Sequence, residues 1–219
     1  MWSSEVTNMI ITGIWETLYM TLVSTLVGYV IGLPMGIILT VSDKDGIKPN
    51  AVLYKILDVI ANIVRSVPFI ILLVLLIPFT RLVVGKSYGS TATIVPLVIS
   101  SAPYIARMVE SSLKEVDAGV IEAARSMGAS NFTIITKVML VEARTSLLVG
   151  ATITLGTILG YSAMSGAVGG GGLGAIAIRY GYTRWQTDIM IVTVILLIIL
   201  FQIFQTVGMK LADKFDHRK

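Results

Sequence analysis

The sequence predicts an all-α membrane protein with five transmembrane helices. Hydrophobic residues make up 55% of the 219 residues and charged residues only 14%, and the mean hydropathy is +0.85. A soluble fold needs more charge than this to cover its surface. The apolar residues are concentrated in uncharged runs, most of which reach the roughly 20 residues that cross a ~30 Å hydrocarbon core as a helix. These runs are Thr17–Ser42, Ser66–Thr80, Ser87–Ala106, Thr145–Ile178 and Ile189–Met209.

The runs also predict how the chain is organised. We expect spans at about 14–41, 56–80, 90–107, 145–166 and 188–208, an external segment at 1–12, a long polar segment at 108–144 and a tail at 209–219. Pro34 predicts a kink in the first span, because a proline leaves one backbone carbonyl without its helical partner. Gly28 and Gly32 in the same span predict close packing against another helix.

The distribution of basic residues predicts an N-terminus outside and a cytoplasmic C-terminus, since Lys and Arg accumulate in cytoplasmic segments. With this orientation the external segments carry Arg81, Lys86, Arg179 and Arg184. The cytoplasmic segments then carry Lys44, Lys48, Lys55, Arg107, Lys114, Arg125, Lys137, Arg144, Lys210, Lys214, Arg218 and Lys219. The basic residues are spread between helices, which favours membrane topology over nucleic-acid binding.

Two arginines near span ends are candidates for a polar cavity. Apolar residues between 53 and 64 recur at a helical period, and Lys55, Asp58, Asn62 and Arg65 form the opposite stripe. This stripe either lines a cytoplasmic vestibule or forms the solvated face of an interfacial helix. Arg65 and Arg107 are accordingly predicted to anchor helix ends or to line the inner vestibule.

The polar segment 108–144 contains signals for a helix, a sharp turn and a second helix. Asp117 can cap the first helix by accepting a backbone N–H. Gly128 suits the left-handed position that follows a helix C-terminus. Ser130 can cap the second helix, expected at about 132–144.

The first of these helices has the shape of a docking element. We expect its exposed edge to carry the small residues Ala123 and Ala124, flanked by Glu122 and Arg125. A small edge of this kind fits a groove on another protein, and the flanking charges can fix its register.

These residues resemble the cytoplasmic loop signature of ATP-binding-cassette (ABC) importer permeases. The similarity lies in Glu122-Ala123-Ala124, Gly128 after three intervening residues, and Val138-Met139-Leu140 after nine more. The resemblance implies a type I importer fold in which this coupling helix, including Asp117 and Arg125, docks on an ATPase subunit. Val141 stands where the family pattern has a proline.

Further segments are similar to the permease subunits of methionine importers. They are Trp15–Leu18, Arg65–Leu73, Ile77–Arg81, Ala102–Glu110 and Gly160–Gly169. The resemblance implies a homodimer of permeases, two ATPase subunits that bind ATP and Mg²⁺, and an extracytoplasmic binding protein that delivers methionine. The resemblance favours methionine as the substrate, and it leaves another amino acid, a betaine or a phosphonate as alternatives. Pairing of two copies also agrees with a five-helix chain that forms half of a path.

A glycine run, Gly169–Gly174, imitates a dinucleotide-binding loop but follows a membrane helix rather than a strand. Gly85-Lys86-Ser87 imitates the end of a P-loop, although Thr80 stands where that loop needs its first glycine. We therefore expect no nucleotide cofactor on this chain. The glycine run is predicted to be either a tight external turn or a bend that shapes the outer path.

Tyr161, Ser162 and Met164 interrupt an aliphatic helix with polar or adaptable side chains. Because methionine fills irregular gaps, Met164 is a candidate constriction of a translocation path. Ordinary helix packing is the alternative for all three residues.

The residue inventory disfavours other functions. The chain has no cysteine and one histidine, His217 in the tail, so we expect no metal site and no Ser–His or zinc protease. A membrane enzyme would need reactive groups within the spans, and a passive channel would need a selectivity filter. The sequence offers neither.

Overall fold

The structure of the protein is a computed structural model that describes residues 4–215. Residues 1–3 of the predicted external segment and residues 216–219 of the predicted tail, His217 among them, lie outside the described range. Residues 4–215 form helices and turns and contain no strand. The predicted all-α class is therefore confirmed for this part of the chain.

The α-helices are α1 (Ser4–Ser42), α2 (Ala51–Ser66), α3 (Phe69–Leu75), α4 (Ile77–Val84), α5 (Ser90–Lys114), α6 (Ala118–Ser126), α7 (Asn131–Thr133), α8 (Leu140–Glu142), α9 (Arg144–Ser165), α10 (Gly172–Ile176) and α11 (Thr187–Lys214). Two π-helical segments, Ile134–Met139 and Ala177–Tyr182, and one 3₁₀ turn, Gly166–Val168, join neighbouring helices.

Four stretches of residues 4–215 are long and apolar enough to cross a membrane, and a bent helix pair makes a fifth. The four are Ser4–Ser42, Ser90–Lys114, Arg144–Tyr182 and Thr187–Lys214. The bent pair consists of α2 and α3, whose axes meet at 101°. This count agrees with five predicted spans, one of which is broken.

The predicted second span, 56–80, is thus not one continuous helix. Pro68 forces the preceding residue away from helical geometry, and Val67 has φ −82° and ψ 124°. A second break falls at Leu76, with ψ 0°, directly before α4 and its proline at the second residue, Pro78. Both prolines can be read from the sequence, but a span predicted from the length of its apolar run does not show where the helix breaks.

The first helix is longer than predicted, because residues 4–12 are helical and belong to α1. It packs most extensively against α5. Glycines make this approach possible: a Cβ at Gly32 would lie 2.6 Å from the Ala102 carbonyl oxygen, and one at Gly36 would lie 2.6 Å from that of Ala106. The expected close packing at Gly32 is confirmed, and it continues one turn further.

The helices α1, α5, α9 and α11 run between two ends of the bundle. At one end, which we call the α6 end, the loop after α1 meets the last turn of α5 through Asp43 and Lys114. At the other, which we call the glycine end, the Gly89 N–H donates to the carbonyl of Gly169 over 2.8 Å. An apolar cluster fills the α6 end and a second one lies between α1, α3, α5 and α9.

Candidate docking helix and glycine turn

The helix α6 begins and ends as the sequence predicted. The Asp117 carboxylate accepts a hydrogen bond from the Gly119 N–H at 2.7 Å. Gly128 has φ +81°, a left-handed conformation that side chains other than glycine rarely adopt. The Ser130 hydroxyl accepts the N–H of Thr133 at 3.2 Å, which caps the next helical segment. The turn between the two helices is therefore set by local chemistry.

The predicted exposed edge of α6 needs one correction. Ala123 and Glu122 are exposed, but Ala124 is only 6% exposed. Ala124 packs into the apolar cluster at the α6 end together with Ile134 and Met139. Because α6 turns by 100° per residue, Ala124 is rotated from the outer face onto the side of the helix that packs against this cluster. The outer face consists instead of Gly119, Glu122, Ala123 and Ser126.

Arg125 connects α6 to the loop between α1 and α2. Its guanidinium donates to the Ile47 carbonyl at 3.1 Å. Between this loop and α6 lies a cleft of about 490 Å³, whose lining includes Asp43, Glu122 and Arg125. Arg125 therefore has a partner inside the chain, a contact that the sequence did not indicate.

A chain of charged groups joins α2, α5 and the same loop. Arg107 on α5 pairs with Asp58 on α2 and, at 2.6 Å, with Glu110. Glu110 also pairs with Lys114 at 2.8 Å, and Lys114 reaches Asp43 at 2.6 Å. We call these five residues the charge chain. Its centre is protected from solvent, since the Glu110 side chain is only 5% exposed.

Lys114 holds the pKa of the Asp43 carboxyl below its ordinary value, chiefly through their hydrogen bond. A carboxyl with a lowered pKa in the folded state adds stability above its unfolded pKa and loses it as the pH falls through the lowered value. The Asp43–Lys114 link is therefore intact at neutral pH.

Part of the polar stripe of α2 contacts α5, through Asp58 and Asn62, whereas Lys55 and Arg65 are exposed. Asn62 donates to Asp58 at 3.1 Å and accepts from Arg107 at 3.2 Å, and the Tyr54 hydroxyl donates to Glu110 at 3.2 Å. Most apolar residues of α2 are exposed, Leu57 and Val64 are half-buried, and Ala61 is the one buried residue of this helix. Arg107 is accordingly a member of an ion network. Arg65 is exposed in the last turn of α2, where a cation is favourable.

The glycine run forms a bend that folds back into the bundle. Gly169, Gly171 and Gly172 have φ values of 84°, 88° and 73°, which glycine adopts without strain. Behind the bend, α10 packs against α1 and α9, and Gly170, Gly172, Leu173 and Gly174 are buried. Of the two predicted alternatives, the structure agrees with the inward bend.

Glu16 and Thr17 of α1 hold this bend. The Glu16 carboxylate accepts the Gly172 N–H at 2.6 Å, and the Thr17 hydroxyl accepts the Leu173 N–H at 2.9 Å. These are the first N–H groups of α10, which lack partners within the helix. Glu16 and Gly172 are far apart along the chain, so the role of Glu16 as a cap across helices becomes visible only in the fold.

The three candidate path residues have different environments. Tyr161 stacks on Phe69 of α3 with ring centroids 4.5 Å apart. Ser162 is 1% exposed and donates to the Leu159 carbonyl at 2.7 Å, an environment that agrees with the alternative of ordinary helix packing. Met164 is 52% exposed. Of the three, Met164 remains available to a path that a second chain would complete.

Among residues 4–215, no group of three or more His, Cys, Asp or Glu side chains is arranged to hold a metal ion. The acidic groups of the charge chain are engaged by Arg107 and Lys114. The site therefore presents a surface for a protein partner and a packed bend.

The described residues thus form a multi-span helical protein that exposes a short capped helix between two of its spans. The chain belongs to the family of binding-protein-dependent transport system inner membrane components, whose profile matches residues 32–218. It is thus a multi-pass inner-membrane permease of an ABC transporter, as the sequence resemblance predicted.

Relatives and solved structures cover the chain almost completely. It is 48% identical over 217 residues to a protein of Vibrio cholerae named "Probable D-methionine transport system permease protein MetI", covering 99% of this chain and 96% of that one. It is 51% identical over 158 residues to the D-methionine transport system permease protein MetI of Escherichia coli K12, covering 72% of this chain and 73% of that one.

Among solved structures, an inward-facing conformation of the MetNI methionine ABC transporter matches with a TM-score of 0.97 and 49% identity, over 99% of this chain and 100% of that one. An amino acid ABC transporter crystallised with histidines has a TM-score of 0.73 over 98% of this chain and 96% of that one. At 22% identity this second match shows the fold alone.

Proposed function

We propose that the protein is the permease subunit of an ABC importer for methionine and works as a homodimer with two ATPase subunits and an extracytoplasmic binding protein. The observation that carries the proposal is the match to the MetNI methionine transporter over 99% of the chain at 49% identity. Because the match leaves only 1% of this chain uncovered, it includes the docking helix and the glycine bend. The earlier alternatives of another amino acid, a betaine or a phosphonate have no comparable support.

In this proposal the α6 end lies in the cytoplasm and the N-terminus lies outside. The outer face of α6 meets the ATPase subunit, which binds ATP and Mg²⁺, while this chain binds no nucleotide and catalyses no reaction. Glu122 and Ala123 are available for that contact because both are exposed. The buried Ala124 and the inward-bonded Arg125 hold α6 on the bundle, so that a push on α6 reaches the spans.

The test is ATP turnover and uptake by the reconstituted complex. The full chain is co-expressed with its ATPase subunit, and the purified complex is reconstituted into lipid vesicles. We expect methionine and its binding protein, added on the external side, to raise ATP turnover and drive uptake, and glycine betaine at the same concentration to do neither. Methionine flux without ATP would indicate a channel, and equal stimulation by another solute would contradict the substrate.

We further propose that Met164 of each protomer narrows the translocation path. Met164→Ala removes a flexible side chain that projects from the surface of α9. We expect the rate of methionine leak without ATP to rise roughly tenfold. This rise corresponds to lowering the free-energy barrier to leak by about 1.4 kcal/mol.

Met209→Ala is the matched control, since Met209 is also exposed but lies near the opposite end of a span. Leak is measured as efflux of radiolabelled methionine from loaded vesicles. An unchanged leak in Met164→Ala would count against a constriction at this residue.

A further inference from the structure

The charge chain is not explained by docking or by the path. Its members come from three parts of the molecule: Asp58 from α2, Arg107, Glu110 and Lys114 from α5, and Asp43 from the loop after α1. Signs alternate along it, so each group except the terminal ones has two opposite charges as neighbours. Removing the central group would leave two buried or half-buried cations without their shared partner.

The charge chain joins the polar side of α2 to α5, while α2 also packs against α1. Most apolar side chains of α2, Ile56, Ile60 and Ile63 among them, are exposed, and Ala61 is the one buried residue of this helix. The polar stripe meets α5 through Asp58, which pairs with Arg107, and through Tyr54, which donates to Glu110. Helix α2 also ends at the 101° break before α3. It is therefore held at its polar face and has a bend at its end.

The same residues connect to the docking helix. Ile121 and Ala124 of α6 pack in one apolar cluster with Val109 and Leu113 of α5. These two residues flank Glu110 on the α5 helix. A second connection runs from Arg125 of α6 to the Ile47 carbonyl, in the loop that also carries Asp43. Both connections from α6 thus end beside members of the charge chain, one next to Glu110 on α5 and one in the loop that carries Asp43.

From this placement we infer that Glu110 is a positioning residue that makes α2, the end of α5 and α6 move as one unit, so that a displacement of α6 is transmitted to α2. The inference rests on the proposed function, because the partner that displaces α6 is the ATPase subunit. The docking helix then acts directly on the helix that leads into the broken span, in addition to acting on the span that follows it.

The experiment measures distances between α2 and α6 in the full chain. Because the chain contains no cysteine, spin labels attach only at introduced cysteines, and labelling precedes assembly with the ATPase subunit. One pair, Lys55→Cys with Val120→Cys, joins exposed sites on α2 and α6, and Val120 is not one of the outer-face residues that meet the ATPase subunit. A second pair, Lys55→Cys with Arg184→Cys, reports motion of α2 relative to the glycine end. Pulsed electron paramagnetic resonance is recorded without nucleotide and with ATP and vanadate.

We expect the α2–α6 distance to stay constant and narrow while nucleotide shifts the distance between α2 and the glycine end. Glu110→Gln keeps the shape of the side chain but removes its charge, and it should broaden the α2–α6 distribution even without nucleotide. Methionine transported per ATP hydrolysed should then fall roughly tenfold, within the usual range of coupling between sites. Glu115→Gln is the matched control, because Glu115 is exposed on the adjoining turn and takes no part in the charge chain.

Three outcomes decide the matter. An α2–α6 distance that shifts with nucleotide as much as the other pair overturns the inference and leaves the proposed function intact. A narrow α2–α6 distribution in Glu110→Gln, together with a lower melting temperature, overturns it in favour of a purely structural role. A broadened distribution with no nucleotide shift in either pair supports the link and contradicts the proposed function.

If Glu110→Gln does not fold, Asp58→Asn, at the 30%-exposed end of the charge chain, takes its place.

Discussion

Replacing Gly174 with alanine is expected to lower the free energy of unfolding by about 3 kcal/mol, the upper range for overpacking a filled interior. A Cβ at Gly174 would collide with the backbone of Ala163 on α9, including its carbonyl oxygen. A backbone cannot rotate away as a side chain can, so α10 would have to separate from α9. Gly166 faces the backbone of Ala175 in the same contact, which shows how closely the two segments approach.

Gly160→Ala is the matched control for this prediction. Gly160 also lies in a helix, α9, and a Cβ there would have no neighbour within 4 Å. Alanine at this position should be neutral or stabilise the helix by up to about 1 kcal/mol, because glycine loses more backbone entropy. Thermal unfolding of the detergent-solubilised variants measures both. Equal melting temperatures for the two variants would show that the contact at Gly174 can relax.

The order and approximate position of the apolar helices could be predicted from the sequence, because hydrophobic length is a property of composition. The break of the second span at Pro68 could not, since prolines also occur within continuous membrane helices, as Pro34 does in α1. What decides between the two cases is whether neighbouring groups satisfy the freed carbonyl. That information exists only once the helices have packed.

The candidate site likewise has features that could be predicted from the sequence and features that could not. The caps at Asp117 and Ser130 and the left-handed Gly128 are local, and all three were predictable from residue type and spacing. The burial of Ala124 follows from which face of α6 meets the cluster at Ile134, a contact between segments that periodicity in a nine-residue helix cannot resolve.

The long-range polar contacts could not be predicted from the sequence, because their members lie far apart along the chain. Glu16 and Gly172 are 156 residues apart, and Arg107 and Asp58 are 49 apart. Nothing in the local sequence around either member indicates the other. Both contacts place a charge where an unpaired charge would be costly, so a polar residue inside an apolar run can serve as a sign that a partner exists elsewhere. Such a residue indicates that a partner exists but does not identify that partner.

Introducing tryptophan at Ala123 is expected to weaken association with the ATPase subunit by roughly 30-fold or more, the loss of about 2 kcal/mol that is typical when the centre of an interface is disrupted. Ala123 is on the outer face of α6 and is exposed, so the indole does not disturb the chain itself. It would instead occupy the space that a small side chain leaves for the wall of a groove. Methionine transport should be lost in proportion to the weakened association.

Two controls separate docking from folding. Lys86→Trp adds the same indole to an exposed position at the glycine end, far from α6, and should leave association unchanged. Ala124→Trp puts it into the apolar cluster, where it should lower the melting temperature, which Ala123→Trp should not. Association is measured by titrating the purified ATPase subunit against the labelled chain. Undiminished binding by Ala123→Trp would contradict docking through the outer face of α6, because an indole at the centre of that face could not leave such an interface undisturbed.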